Sequence, residues 1–168
     1  MKNLIILSLL IFSSQLFSQE VLKKVILEKE DGGRLDGSAW SSEELKDKVY
    51  VLFYVDPDEK DLNEHVADLI KKQNFPTDNM TSVGIINMAA TWLPNFAIAS
   101  SLKEKQKKFP HTIYVKDFKK VLVKEWGLKD DSSNILVFNK QGQVLIKILG
   151  KASNEEADKV ISLIRNNL

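Results

Sequence analysis

Four carboxylates fall within six residues of this chain: Asp56, Asp58, Glu59 and Asp61, with Glu64 and His65 one helical turn further on. Two kinds of chemistry would use such a group. Hard divalent cations take several oxygen ligands, and two carboxyls buried together can share a proton and divide the roles of acid and base. The calcium-loop spacing fails. With Asp56 as the first ligand, the sixth position is Asp61 where the loop needs glycine, and the twelfth is Ala67 where it needs glutamate. For acid–base work, no apolar wall in the neighbouring sequence demands that two carboxyls be buried together. The favoured reading is a helix start, where orphan N–H groups and roughly half a positive charge attract acids. Asp58 is then the N-cap, and Glu59 and Asp61 occupy the first turn.

The remaining polar candidates are few. His65 and His111 are the two histidines, and nothing in the sequence supplies the third ligand that a zinc site requires, so ordinary structural roles are expected. Serines in the run Asp130–Ser133 could hold a peptide backbone or a small polar ligand; closing a turn through side-chain-to-backbone bonds is the favoured use. Trp40 and Trp126 are expected in the core, and Trp92, in an apparent loop, is the exception. The 168 residues include no cysteine, which removes thiol nucleophiles, disulfides and thiolate metal sites. No phosphate-cradling glycine loop and no G-x-S-x-G element occurs. No cofactor is implied.

The elements that must position these residues read as follows. "VYVLFYV" (49–55) is β-branched and aromatic throughout, the pattern of a strand covered on both faces. A helix begins near Asp58, with Leu62, Val66, Leu69 and Ile70 as its apolar stripe. "TSVGIINM" (81–88) is a second buried strand, and a helix follows from about Asn95 to Lys108. Thr112 to Val115 forms a short strand. The segment 118–128 is ambiguous between strand and helix. Ile135–Phe138 and Val144–Leu149 make a hairpin, and an amphipathic helix runs from Ser153 to Asn167. Before these, "VLKKVILEKEDGGRLDG" reads as a strand turning at Asp31-Gly32-Gly33, and Ser41 with Glu44 has the spacing of a capping box.

Residues 1–18 carry a cation at Lys2, an apolar run from Leu4 to Phe12 and then small and polar residues, the layout of a cleavable signal peptide. The run is too short to span a bilayer, which needs about 20 residues. Cleavage near Ser18 leaves a single domain, 19–168, expected to be periplasmic or secreted and free of the membrane. It removes Lys2 and no acid, so the net charge falls from +1 to neutral, which favours no nucleic-acid partner.

The segment "LKDKVYVLFYVDPDEKDL" resembles the centre of thioredoxin-like domains, where the active-site helix follows the central strand, and "WGLKDDSSNILVFNKQGQVL" is similar to their later turn and hairpin. More specifically, "KDKVYVL", "SSLKEKQKKFP", "YVKD" and "EWGLKDDSSNILVFNKQGQV" resemble the YtfJ family of exported bacterial proteins. The resemblance implies an α/β thioredoxin-like fold: a mixed central sheet flanked by helices, with an N-terminal β-hairpin extension. It also places Asp58 and Asp61 near the two cysteines of a thioredoxin C-x-x-C, and Ser133 near its proline. Thiol–disulfide exchange needs a thiolate attacker, so neither that activity nor a peroxidatic one is open to this chain. The expectation is a redox-inactive module that binds a protein or peptide at Asp58, Asp61 and Ser133, in the bacterial envelope. The alternative is an enzyme that uses the carboxylates of 56–61, with or without a divalent metal.

Overall fold

Val49–Val55, the β4 strand, runs through the middle of a six-stranded sheet. The computed structural model describes residues 21–168, so the signal-peptide expectation lies outside the described residues. In chain order the elements are β1 (Ile26–Leu27), β2 (Gly32–Arg34), β3 (Trp40–Ser41), β4, α1 (Glu64–Gln73), β5 (Met80–Asn87), α2 (Asn95–Lys108), β6 (Ile113–Asp117), α3 (Val121–Trp126), β7 (Ser133–Phe138), β8 (Val144–Leu149) and α4 (Asn154–Asn167). The large sheet has the order β2-β6-β5-β4-β7-β8, and β1 with β3 makes a separate two-stranded antiparallel sheet. β4, β5 and β6 run parallel, while β2, β7 and β8 are antiparallel to their neighbours.

Strand alternation sorts the core into two layers. Tyr50, Leu52 and Tyr54 face one way with Val83, Ile85, Val115, Leu136 and Phe138. They are covered by Leu27, Trp40 and Leu45 of the N-terminal segment and by Leu122 and Trp126 of α3. Val49 and Val51 face the other way with Ile135, Val137 and Ile148, beneath α1 and α4. α2 closes the far end of that second layer through Ile98 and Leu102. Each such aliphatic side chain taken out of water contributes about 1.5–3 kcal/mol, which is why two apolar faces on one strand dictate a three-layer arrangement.

Two expectations about local structure are corrected here. The first concerns the glycine pair. Gly32 and Gly33 do not turn a hairpin between adjacent strands: β1 pairs with β3, and Gly32–Arg34 cross to pair with β6. The turn is a 3-10 segment at Lys29–Asp31. Gly32 (φ +145°) is required instead by close approach, since a Cβ there would stand 1.9 Å from the Lys116 carbonyl oxygen. The second concerns the helix start. Pro57–Glu59 is a short 3-10 turn, and α1 begins only at Glu64. The ambiguous segment resolves into helix α3, held between left-handed residues Lys120 and Gly127. The Ser41–Glu44 capping box is formed, on a 3-10 turn at Ser42–Glu44.

Candidate functional site

The carboxyl ends of β4, β5 and β6 and the amino end of β7 lie on one edge of the sheet, the edge where open α/β sheets place their ligands. β4 delivers Asp56 there. Asp56 is buried and is the cap of the 3-10 turn, its Oδ1 accepting from the Asp58 N–H at 2.8 Å. The capping role assigned to Asp58 therefore belongs to Asp56, because Pro57, with its fixed φ, starts the turn one residue after it. Asp58 is exposed. Asp61 is exposed too, and its Oδ2 accepts from the Lys60 ammonium at 2.6 Å. Ser133 is buried at the first residue of β7. Asp61 and Ser133 line one cleft, which Asp58 does not.

What the sequence reading missed is Asn63, at the cap position of α1 and 3% exposed. Its amide nitrogen donates to the Ser133 carbonyl (3.1 Å), the Ser133 hydroxyl (3.2 Å) and the Gly150 carbonyl (3.0 Å), while its Oδ1 accepts from the Ala152 N–H (2.8 Å). One side chain thus ties the start of α1 to β7 and to the turn between β8 and α4. This inward use explains why it makes no side-chain cap to its own helix. Asn134 repeats the device, accepting from the Lys129 N–H and donating to the Lys129 and Tyr54 carbonyls. His65 hydrogen-bonds the Ala152 carbonyl at 3.1 Å, a structural role.

At the end of β6, the carboxylate of Asp117 is fully buried. It accepts from the Tyr54 hydroxyl (3.0 Å), the Val121 N–H (2.9 Å), the Leu122 N–H (3.1 Å) and the Lys119 N–H (3.1 Å). It satisfies the orphan donors that open α3. Burial pushes the Tyr54 hydroxyl far above the usual phenol range, and the Asp117 carboxylate beside it adds to the shift. Nearby, Asp130 accepts from the Asn87 amide (2.9 Å) and the Lys120 ammonium (2.6 Å).

The acids of this edge respond to pH with opposite signs. Burial raises Asp56, with Asp58, Asp131 and Glu59 adding to the rise against the Asp58 N–H bond. Its ionised form costs the fold stability above its folded pKa, a cost relieved as pH falls through that value. Burial also acts to raise Asp130, but the bonds from Lys120, the Asp131 N–H and Asn87 outweigh it and hold the carboxyl below its ordinary value of 3.8. The stability Asp130 contributes is present above that ordinary value and lost as pH falls below it. Lys120→Met removes the largest of the lowering contacts and is expected to move the Asp130 titration upward, as read by a carboxyl-carbon NMR titration. An Asp130 titration unchanged in that variant would show that Lys120 does not set it.

The cleft lies between α1 and α2 over the second face of β4, β5 and β6, with a volume of about 610 Å³. That is within the range of small-ligand sites, roughly 300–1,000 Å³. Its floor includes Phe53, Val55, Gly84, Ile86 and Tyr114, of which all but Gly84 are only half buried although they sit on central strands. Among the described residues no three His, Asp or Glu side chains converge as metal ligands. The junction carboxylates are occupied otherwise: Asp56 by the Asp58 N–H and Asp61 by Lys60.

A mixed sheet with helices on both faces and its polar edge at the end of the central strand gives a thioredoxin-like fold, here in a chain without cysteine. A thiol-disulfide isomerase from Corynebacterium glutamicum has the same fold, with a TM-score of 0.58 at 14% identity over 83% of this chain and 95% of that one. The chain belongs to the family described as "Bacterial protein of unknown function (YtfJ_HI0045)", whose model matches residues 19–167. A Haemophilus influenzae relative, "Uncharacterized protein", is 33% identical over 129 residues, 74% of this chain and 70% of its own length. "Uncharacterized protein YtfJ" of Escherichia coli K12 is 28% identical over 133 residues, 77% of this chain and 72% of its own.

Proposed function

We propose that this protein is an exported, thiol-free thioredoxin-like domain of the bacterial envelope that binds a partner protein at the carboxyl-end edge of its sheet. The observation that carries this reading is a pair of aromatic side chains in open water. Trp92 is 85% exposed and Phe96 77% exposed, on the loop after β5 and the first turn of α2. Trp40 and Trp126 are buried, so the contrast is within one residue type. Aromatic anchors of this kind dominate protein interfaces, and leaving them solvated has no folding benefit. β4 and β5 are parallel neighbours, so the same edge carries exposed Asp58 and Asp61, with Ser133 as backing. The partner that fits is a protein segment with apolar side chains flanked by cations. Among the described residues, no helix is long and apolar enough to cross a membrane.

A photo-crosslinking side chain at position 92, introduced in living cells, tests this, with position 159 on α4 as the control. A discrete adduct is expected from 92 alone, weakened when Asp58 and Asp61 are both changed to Lys. Equal adducts from the two positions, or none from 92, would remove the reading.

A further inference from the structure

We infer that the cleft between α1 and α2 is a binding site for a single-chain anionic amphiphile, a long-chain carboxylate whose head lies among Lys71, Lys105 and Lys108 and whose tail lies along β5. Asp61 and Ser133 of the proposed partner edge line one end of this cleft, while Trp92 and Phe96 are not among its lining, so a ligand held at the lysine end is read apart from a partner held at Trp92. Gly84 lies buried in mid-strand, and a Cβ there would press the Tyr114 ring at 3.2 Å. The missing side chain makes a trough, walled by Phe53, Ile86 and Tyr114, whose exposed apolar area stays uncovered. A tail that covered it would gain about 25 cal/mol for each Å² removed from water.

The head end is set by topology. β5 runs toward the polar edge while α1 and α2 run away from it, so the far end of the cleft collects the last turns of both helices. Lys71 comes from α1, and Lys105 and Lys108 come from α2. Among the described residues, none of these three has a carboxylate within ion-pair distance, whereas Lys107 is paired with Glu104. The ammoniums of Lys71 and Lys108 each lie 5.3 Å from the centroid of the same Phe109 ring, so both cations stand at the Phe109 end of the trough. A carboxylate head at that end would be attracted by both.

The floor also selects against an extended peptide. From Val83 onward β5 is paired on both sides, with β4 and with β6, and β6 is itself flanked by β2. Along Val83–Ile86, where the tail lies, no free backbone edge is open to strand addition. What the trough offers is apolar surface with three lysines at its far end, the complement of a fatty acid; the acids of its lining, Asp61, Glu64 and Asp68, come from α1 and the turn before it.

The test is titration of the purified protein with sodium dodecanoate below its micellar concentration, followed by backbone amide NMR shifts and calorimetry. Saturable one-to-one binding is expected, with the largest shifts at Gly84 and Ile86 and none at Trp92. Two variants with exposed substitutions keep the fold out of question. The triple change Lys71→Glu, Lys105→Glu, Lys108→Glu removes the head contacts, and Ala67→Phe narrows the trough from the α1 wall. Each is expected to weaken binding roughly tenfold or more, about 1.4 kcal/mol. Dodecyltrimethylammonium is expected to bind at least as much weaker. No saturation at millimolar dodecanoate, equal affinity for the cationic amphiphile, shifts confined to the Trp92 edge, or tighter occupation by an apolar hexapeptide would each overturn the assignment.

Discussion

Asn63→Ala is expected to cost the fold about 3–5 kcal/mol, the largest effect of any single polar substitution in this protein. The substitution removes little volume but strands several partners. The Gly150 and Ser133 carbonyls lose a donor, and the N–H of buried Ala152 loses its acceptor. Each buried group left unpaired carries a desolvation penalty of roughly 1–3 kcal/mol. Urea unfolding followed by circular dichroism gives the number. A loss under about 1 kcal/mol would mean that water enters and replaces the amide. Asn63→Asp sharpens the test, because a carboxylate would face the Gly150 and Ser133 carbonyls that now accept from an amide. That variant is expected to regain stability as the pH is lowered and the new carboxyl protonates, a trend Asn63→Ala lacks.

Asp117→Ala should come next, at about 3 kcal/mol. It strands the Tyr54 hydroxyl and the backbone donors of Val121 and Leu122 in the core; the Lys119 N–H is better placed to find water. Tyr54→Phe removes only one of those partners and leaves the α3 start capped, so about 1 kcal/mol is expected. The double-mutant cycle between the two should then return a coupling near the Tyr54→Phe value. If Asp117→Ala proved no worse than Tyr54→Phe, the capping of α3 by this carboxylate would be energetically idle. Loss of α3 order should show as earlier hydrogen exchange at Val121 and Leu122.

These two residues also show where sequence reading stops. Continuous apolar character announced β4, the spacing of Val144–Leu149 against Ile135–Phe138 announced the last hairpin, and α2 and α4 sit at their expected limits to within a residue. Those signals are local. Asn63 gave none, because its partners lie 70 to 89 residues away and an isolated asparagine before a helix looks like an ordinary cap. Asp117 likewise bonds Tyr54 across 63 residues. The Asp58 assignment failed for a finer reason: the acids were in the right turn, but Pro57 began it one residue early and Asp56 took the cap. Gly32-Gly33 misled because a glycine pair signals a tight turn and a close strand crossing equally well. The aromatic exception was legible, since Trp92 stood in a loop between two apolar elements. The cleft was not, since it is defined by what fails to cover Phe53 and Val55.

The delayed start of α1 bears on protein engineering. A thiol becomes a good nucleophile when a helix N-terminus holds its thiolate. In this fold the helix opens at Glu64, its entrance is filled by Asn63 and Ser133, and positions 58 and 61 sit on a 3-10 turn and the bend after it. Cysteines grafted at those two positions would lie outside α1, without its N-terminus to hold a thiolate. Restoring thiol chemistry to this scaffold would therefore mean rebuilding the junction between strand and helix, with side-chain replacement alone falling short.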